Sequence, residues 1–196
     1  FTEWSNEELS KQSFTLAKHQ SCCRYLQKRI DTYPKLVPCL FFPNILGHIK
    51  ELSNDQFGNY YIEIIIKYLP EDMLLKFMEL IFPEIPDIGT NQYGTKIIQY
   101  LISVILTLKN EKLLLYLIDI ILPHVILFVT DLNGSHIIQK MICIKSPHIQ
   151  IIFDKIIINI KEIAITRVGS NFIKKVFDSM KKEISKENID YFLKAI

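Results

Sequence analysis

One short pattern, written five times at nearly equal intervals, constrains this chain more than any other feature. The copies are HQSCCRYLQKRI at 19–30, DQFGNYYIEIII at 55–66, NQYGTKIIQYLI at 91–102, DLNGSHIIQKMI at 131–142 and TRVGSNFIKKVF at 166–177. Each places a small residue (Cys22, Gly58, Gly94, Gly134, Gly169) before a pair of polar or small residues. Two aromatic or branched apolar residues follow, then a polar one: Gln27, Glu63, Gln99, Gln139 or Lys174. The steps between the small residues are 36, 36, 40 and 35 (22→58→94→134→169). That period belongs to helical solenoids, in which no unit buries its apolar faces alone and stacking creates the core.

The stretches between copies read as helices. Asn110 can cap EKLLLYLIDIIL, and Ser146-Pro147 can open HIQIIFDKIIINI with proline at the first helical position. Pro70 plays the same part for EDMLLKFMELIF, Ser185 can cap KENIDYFLKAI, and Ser5 with Glu8 has the spacing of a capping box. Prolines 34, 38, 43, 83, 86 and 123 fall between apolar runs, as connectors should. No strand alternation is evident. Each unit is therefore expected to be a short helix, a helix carrying the motif, and a longer apolar helix.

The bulk properties exclude several classes. Half of the 196 residues are apolar, enough for a large core, and a net charge of +2 does not by itself announce a nucleic acid. The apolar run at 113–129 holds Asp119, Pro123 and His124 and is short for a bilayer, so it reads as a buried helix ending near Leu122. No membrane association and no secretory signal are expected. Cys22, Cys23, Cys39 and Cys143 lack metal spacing and read as idle thiols in a reducing compartment. The histidines form no ligand-spaced or nucleophile–base pattern, and the glycines belong to the repeats, so no catalytic residue, metal or cofactor is expected. A chain opening on Phe1 is expected to be part of something longer.

On a helix, the residue after the small one (position a) and position a+4 lie one turn apart, with a+1 beside them. The pairs are Cys23/Gln27, Asn59/Glu63, Thr95/Gln99, Ser135/Gln139 and Ser170/Lys174; the lateral residues are Arg24, Tyr60, Lys96, His136 and Asn171. The apolar pair at a+2 and a+3 faces the core. A ladder of short polar groups interleaved with flat or cationic ones suits single-stranded RNA: amides and hydroxyls bond base edges, and planar groups stack on bases.

These motifs resemble the repeats of the Pumilio (PUF) family, over about residues 13–180. DQFGNYYIE, NQYGTKIIQ and DLNGSHIIQ are each similar to that family's base-reading helix, in the order of its first four repeats, with SNFIK as a weaker fifth. The resemblance implies an all-α solenoid of three-helix repeats forming a crescent, with 1–196 a single repeat domain or part of one. Its concave face would bind RNA antiparallel, one base per repeat, with the first repeat at the 3′-most base. By the family's code, Cys23/Gln27, Thr95/Gln99 and Ser135/Gln139 resemble adenine readers, stacked by Arg24, Lys96 and His136. Asn59 matches a uracil reader stacked by Tyr60, but Glu63 replaces glutamine and, as an acceptor only, favours a donating edge such as guanine's. Ser170, Asn171 and Lys174 keep the stacking position but not the reading pair, and Lys174 is suited to a phosphate. The expected core is 5′-A-A-U/G-A-3′.

The resemblance further implies binding to an mRNA 3′ UTR, control of mRNA stability or translation, a cytoplasmic monomer, and mRNA-decay or translational-repression proteins on the convex face. Two alternatives remain open: a PUF-like protein with little sequence preference, nucleolar and engaged in ribosome biogenesis, and a protein-binding α-solenoid scaffold.

Overall fold

The computed structural model describes residues 4–183, and among them every regular element is helical. The chain divides into two compact units, Phe1–Lys109 and Asn110–Ile196, with the boundary inside the third repeat, after its motif helix.

The first unit opens with the helix Asn6–Lys11, where the Ser5 side chain accepts from the Glu8 backbone N–H and the Glu8 carboxylate accepts from Ser5 N, as the capping-box spacing predicts. Three motif helices follow: Gln20–Thr32, Gly58–Tyr68 and Gly94–Leu108. Each is preceded by a short helix, Ser13–Ala17, Ile49–Ser53 and Ile85–Thr90 respectively. Neighbouring motif helices pack side by side, and the short helices Ser13–Ala17 and Ile49–Ser53 also reach the next repeat's motif helix. Between repeats lie connectors that are themselves helical turns. Pro34, Pro38 and Pro43 fall so close together that residues 34–48 form 3-10 and π-helical turns in place of a regular third helix. Pro70 caps Glu71–Ile81 from just outside it, not from its first turn.

In the third repeat the motif helix is not the shorter partner that the sequence implies. Gly94–Leu108 has 15 residues against 11 for Glu111–Ile121. Its buried stripe runs through Ile97, Ile98, Leu101, Ile102 and Ile105, and only Lys109, in the left-handed region at φ 55°, ends it. Burying such an isoleucine stabilises the fold by roughly 1.5–3 kcal/mol.

In the second unit, Asn110 caps Glu111–Ile121 by accepting from Leu113 N at 3.1 Å. The expected helix end near Leu122 is met: Leu122–His124 is a 3-10 turn, followed by Val125–Thr130. By length and mean hydropathy (2.3), Glu111–Thr130 would suffice to cross a membrane. The chain instead folds it in three pieces, with Leu117, Ile121, Val125 and Phe128 fully buried. The motif helices here are Ser135–Ile142 and Arg167–Glu183. Ser146 caps the 3-10 turn Pro147–Ile149, and Gln150–Ile158 follows it. The cap expected at Ser185 lies outside the described residues.

Candidate nucleic-acid interface

The second to fifth motif helices start where they do because of a cap that the sequence reading missed. Three residues before the small residue stand Asp55, Asn91, Asp131 and Thr166. The Asp55 carboxylate accepts from Phe57 N (2.8 Å) and Gly58 N (2.7 Å); Asn91 Oδ1 accepts from Tyr93 N and Gly94 N in the same way. Asp131 repeats the arrangement, and Thr166 Oγ1 accepts from Gly169 N. The signal was present as Asp, Asn or Thr three positions ahead of each glycine. The glycine answers a different need. A Cβ on Gly94 would lie 2.4 Å from Ile88 O and 2.3 Å from Asn54 Oδ1, so only glycine lets this helix start meet its neighbours.

From that start the side chains sort by position. The apolar pair is buried as predicted: Tyr61/Ile62, Ile97/Ile98 and Ile137/Ile138 are 0% exposed. Arg24, Tyr60, Lys96, His136 and Asn171 are exposed, and Gln27, Glu63, Gln99 and Gln139 half-buried.

Position a departs from expectation. Cys23, Asn59, Thr95 and Ser135 are not on an exposed face but 5% exposed or less, and only Ser170 is exposed. The cause in the first repeat is the second: the Cys23 thiol donates to Phe57 O at 3.2 Å, so the neighbouring repeat covers it. Burial pushes that thiol's pKa up, which keeps the proton on sulfur as a donor.

These buried groups are coupled to the residues at a+4. Gln27 Nε2 donates to Cys23 Sγ (3.2 Å), and Gln99 Nε2 to Thr95 Oγ1 (3.3 Å). Asn59 Nδ2 donates to Asp55 O at 2.8 Å, which leaves its Oδ1 buried with no partner. An unmade bond of that kind costs about 1–3 kcal/mol, so a free acceptor is held at position a of the second repeat. Glu63 is pushed above the usual carboxylate range by burial, and Lys96 opposes the shift. Lys96 itself lies over the Tyr93 ring, 5.9 Å from its centroid.

Two clefts gather the predicted residues. One of about 380 Å³ between the first and second motif helices is lined by Cys23, Arg24, Gln27 and Tyr60, with Gln20, Gln56 and Phe57 completing it. Another of about 340 Å³ joins Ser135, His136 and Gln139 to Asn171 and Lys174. In the first, the floor is Cys23 and Gln27, and the walls carry a guanidinium and a phenol ring. A planar base fits that arrangement: stacked on the walls, edge to the floor. Among the described residues no group of three or more His, Cys, Asp or Glu is placed to hold a metal.

Comparison with known proteins agrees with this geometry. The sequence model of the Pumilio-family RNA binding repeat matches residues 12–34, 48–81 and 124–157, which hold the first, second and fourth motifs. A Pumilio domain-containing protein of Schizosaccharomyces pombe is 40% identical over 85 residues, 43% of this chain and 11% of its own length. The Saccharomyces cerevisiae suppressor protein MPT5 is 34% identical over 86 residues, 43% of this chain and 10% of its own. Among solved structures, the Puf4 RNA binding domain bound to the HO endonuclease RNA 3′ UTR recognition sequence superposes with a TM-score of 0.79 at 28% identity, over 92% of this chain. The RNA-binding domain of yeast Puf5p bound to AAT2 RNA gives 0.80 at 28% identity over 100%. The chain spans 54% of each of those two domains.

Proposed function

This chain is a run of Pumilio-family repeats, and from that premise we propose that it binds single-stranded RNA sequence-selectively, one base to a repeat, as in an mRNA 3′ UTR. The observation that carries the reading is the first cleft, which a stacking wall (Arg24, Tyr60) and a polar floor (Cys23, Gln27) line together. The likeness to RNA-bound Puf4 and Puf5p domains supports it.

The chemistry follows from what each reading pair still has to offer. In the first and third repeats one amide N–H is spent on the neighbour, Cys23 or Thr95. The amide oxygen and the second N–H remain, and together they match adenine's N6–H donor and N1 acceptor. In the second repeat the free Asn59 Oδ1 and an ionised Glu63 are both acceptors, a pair that matches guanine's N1–H and N2–H₂ better than uracil's single N3–H. The fourth repeat, Ser135/Gln139 with His136, is read as adenine. The resulting core is 5′-A-A-U/G-A-3′, bound with the first repeat at the 3′ end. In this reading the protein acts as a cytoplasmic monomer on mRNA stability or translation, and mRNA-decay or translational-repression proteins dock on its convex face.

A second reading, a relative with little sequence preference, draws on Lys174. It is an exposed cation with no accepting capacity at a slot where other repeats carry an acceptor. Competition between core-containing and scrambled RNA tests the choice, with two variants as internal controls. Gln99→Ala relaxes selection at one base only. Arg24→Ala weakens binding by about 1–3 kcal/mol while the preferred sequence stays the same, since stacking tolerates any base. Equal competition by scrambled RNA contradicts sequence reading.

A further inference from the structure

We propose that Gln20, Gln56 and Gln92 form a second contact row that bonds the ribose 2′-hydroxyls of a bound strand, making the first three repeats selective for RNA over DNA. The proposal rests on the RNA-binding reading and extends it from bases to sugars.

The row shows first in how glutamine is distributed. The chain has eight: Gln12, Gln20, Gln27, Gln56, Gln92, Gln99, Gln139 and Gln150. Three of them (27, 99, 139) are the readers at a+4. Another three (20, 56, 92) occupy one other slot, three residues before position a, at steps of 36 and 36. Six of eight in two slots of a five-copy repeat is not scatter.

Neither packing nor folding asks for glutamine there. All three side chains are exposed, so no core selects them. Gln20 opens its helix, and Gln56 and Gln92 lie in the turn just before theirs, after His19, Asp55 and Asn91; near a helix start carboxylates suit better than amides do. Among the described residues none of the three side chains has a hydrogen-bond partner, whereas Gln150, outside the motif, is satisfied by Asp154 at 2.9 Å.

Their place in the cleft says what they meet. Cys23, 2% exposed, is floor; Gln20 and Gln56 are exposed rim. A base whose reading edge reaches the floor has its glycosidic bond towards the mouth, and the sugar comes to the rim. Each glutamine also stands four residues before a stacking residue: Gln20 before Arg24, Gln56 before Tyr60, Gln92 before Lys96. The spacing in sequence to the stacking residue is thus the same in all three repeats. An amide both donates and accepts, and so does the 2′-hydroxyl, which is the group that distinguishes RNA from DNA. A phosphate only accepts, so it would use only the donor half of an amide and is met best by a cation. The fourth and fifth repeats hold Leu132 and Arg167 in this slot; leucine can make no such bond and arginine is a cation better suited to a phosphate, so the glutamine row ends with the third repeat.

The test walks single 2′-deoxy substitutions through a core-containing RNA and measures competition binding to the chain and to Gln56→Ala. The substituted side chain is exposed and unbonded, so thermal stability should not change. The expected result is a loss of about 2- to 10-fold for the chain at individual nucleotides, the size of a neutral hydrogen bond. Gln56→Ala should lose the same factor on all-ribose RNA and show no further loss at one of those nucleotides, with an unchanged salt dependence. The proposal is overturned if Gln56→Ala binds like the parent, if every deoxy penalty persists in it, or if its salt slope falls, which would mark a phosphate contact. A chain indifferent to every 2′-hydroxyl but still bound to RNA overturns this proposal alone. A chain that binds no RNA overturns the RNA reading with it.

Discussion

At the scale of single residues, Glu63 carries the most information. Its carboxyl is half-buried, and burial raises its pKa above the ordinary 4.5 while Lys96 pulls the other way. A carboxyl raised by folding favours the native state when protonated; that contribution is full below the unfolded value and lost as pH rises through the folded one. Glu63→Gln, never charged, should therefore gain thermal stability over the parent at neutral pH, and the gap should close on acidification below about 4. An equal gap at both pH values would mean that the carboxylate is not desolvated. The same variant exchanges an acceptor for a donor–acceptor pair and should move the base chosen at that repeat from guanine to uracil, read by competition with single-base RNA variants. Its counterpart Asn59 shows what sequence cannot disclose. The spacing put Asn59 on a reading face; the hydrogen bond to Asp55 O that strands its other amide atom depends on a helix start visible only in three dimensions.

At the scale of elements, the repeat is held in register by a close approach and a cap, one and four residues before position a. Placing Gly94 in contact with Ile88 O and Asn54 makes a clear prediction. Gly94→Ala must push a backbone carbonyl aside and should cost about 1–3 kcal/mol in urea unfolding, while alanine in an ordinary helix position would stabilise. A stabilised variant would show that the approach is looser than described. Helix positions, caps at Ser5 and Asn110, and the buried apolar pair were legible in the sequence, because all three depend on residues within a turn of one another. The burial of position a was not. It comes from a residue 34 positions away, Phe57, whose carbonyl closes over Cys23. The 3-10 and π-helical turns at 34–48 were half legible: three close prolines forbid a regular helix, but do not say which tight turns replace it. The Asp55, Asn91 and Asp131 caps were legible too, each standing three residues before a glycine.

At the scale of the whole molecule, two compact units carry five motifs, three in the first and two in the second. The strength of selection should be unequal along them. The first three repeats have buried position-a residues, half-buried readers and the glutamine row; the fifth presents exposed Ser170 and Lys174. Selection of this chain against a randomised RNA pool, sequenced at a low and a moderate salt concentration, addresses all of this at once. The predicted result is enrichment of a 5′-A-A-U/G-A-3′ core at both concentrations, with affinity falling as salt rises and no enriched base at the position of the fifth repeat. Salt-sensitive binding with no enriched core, or no binding at either concentration, would contradict a base-reading role for these helices.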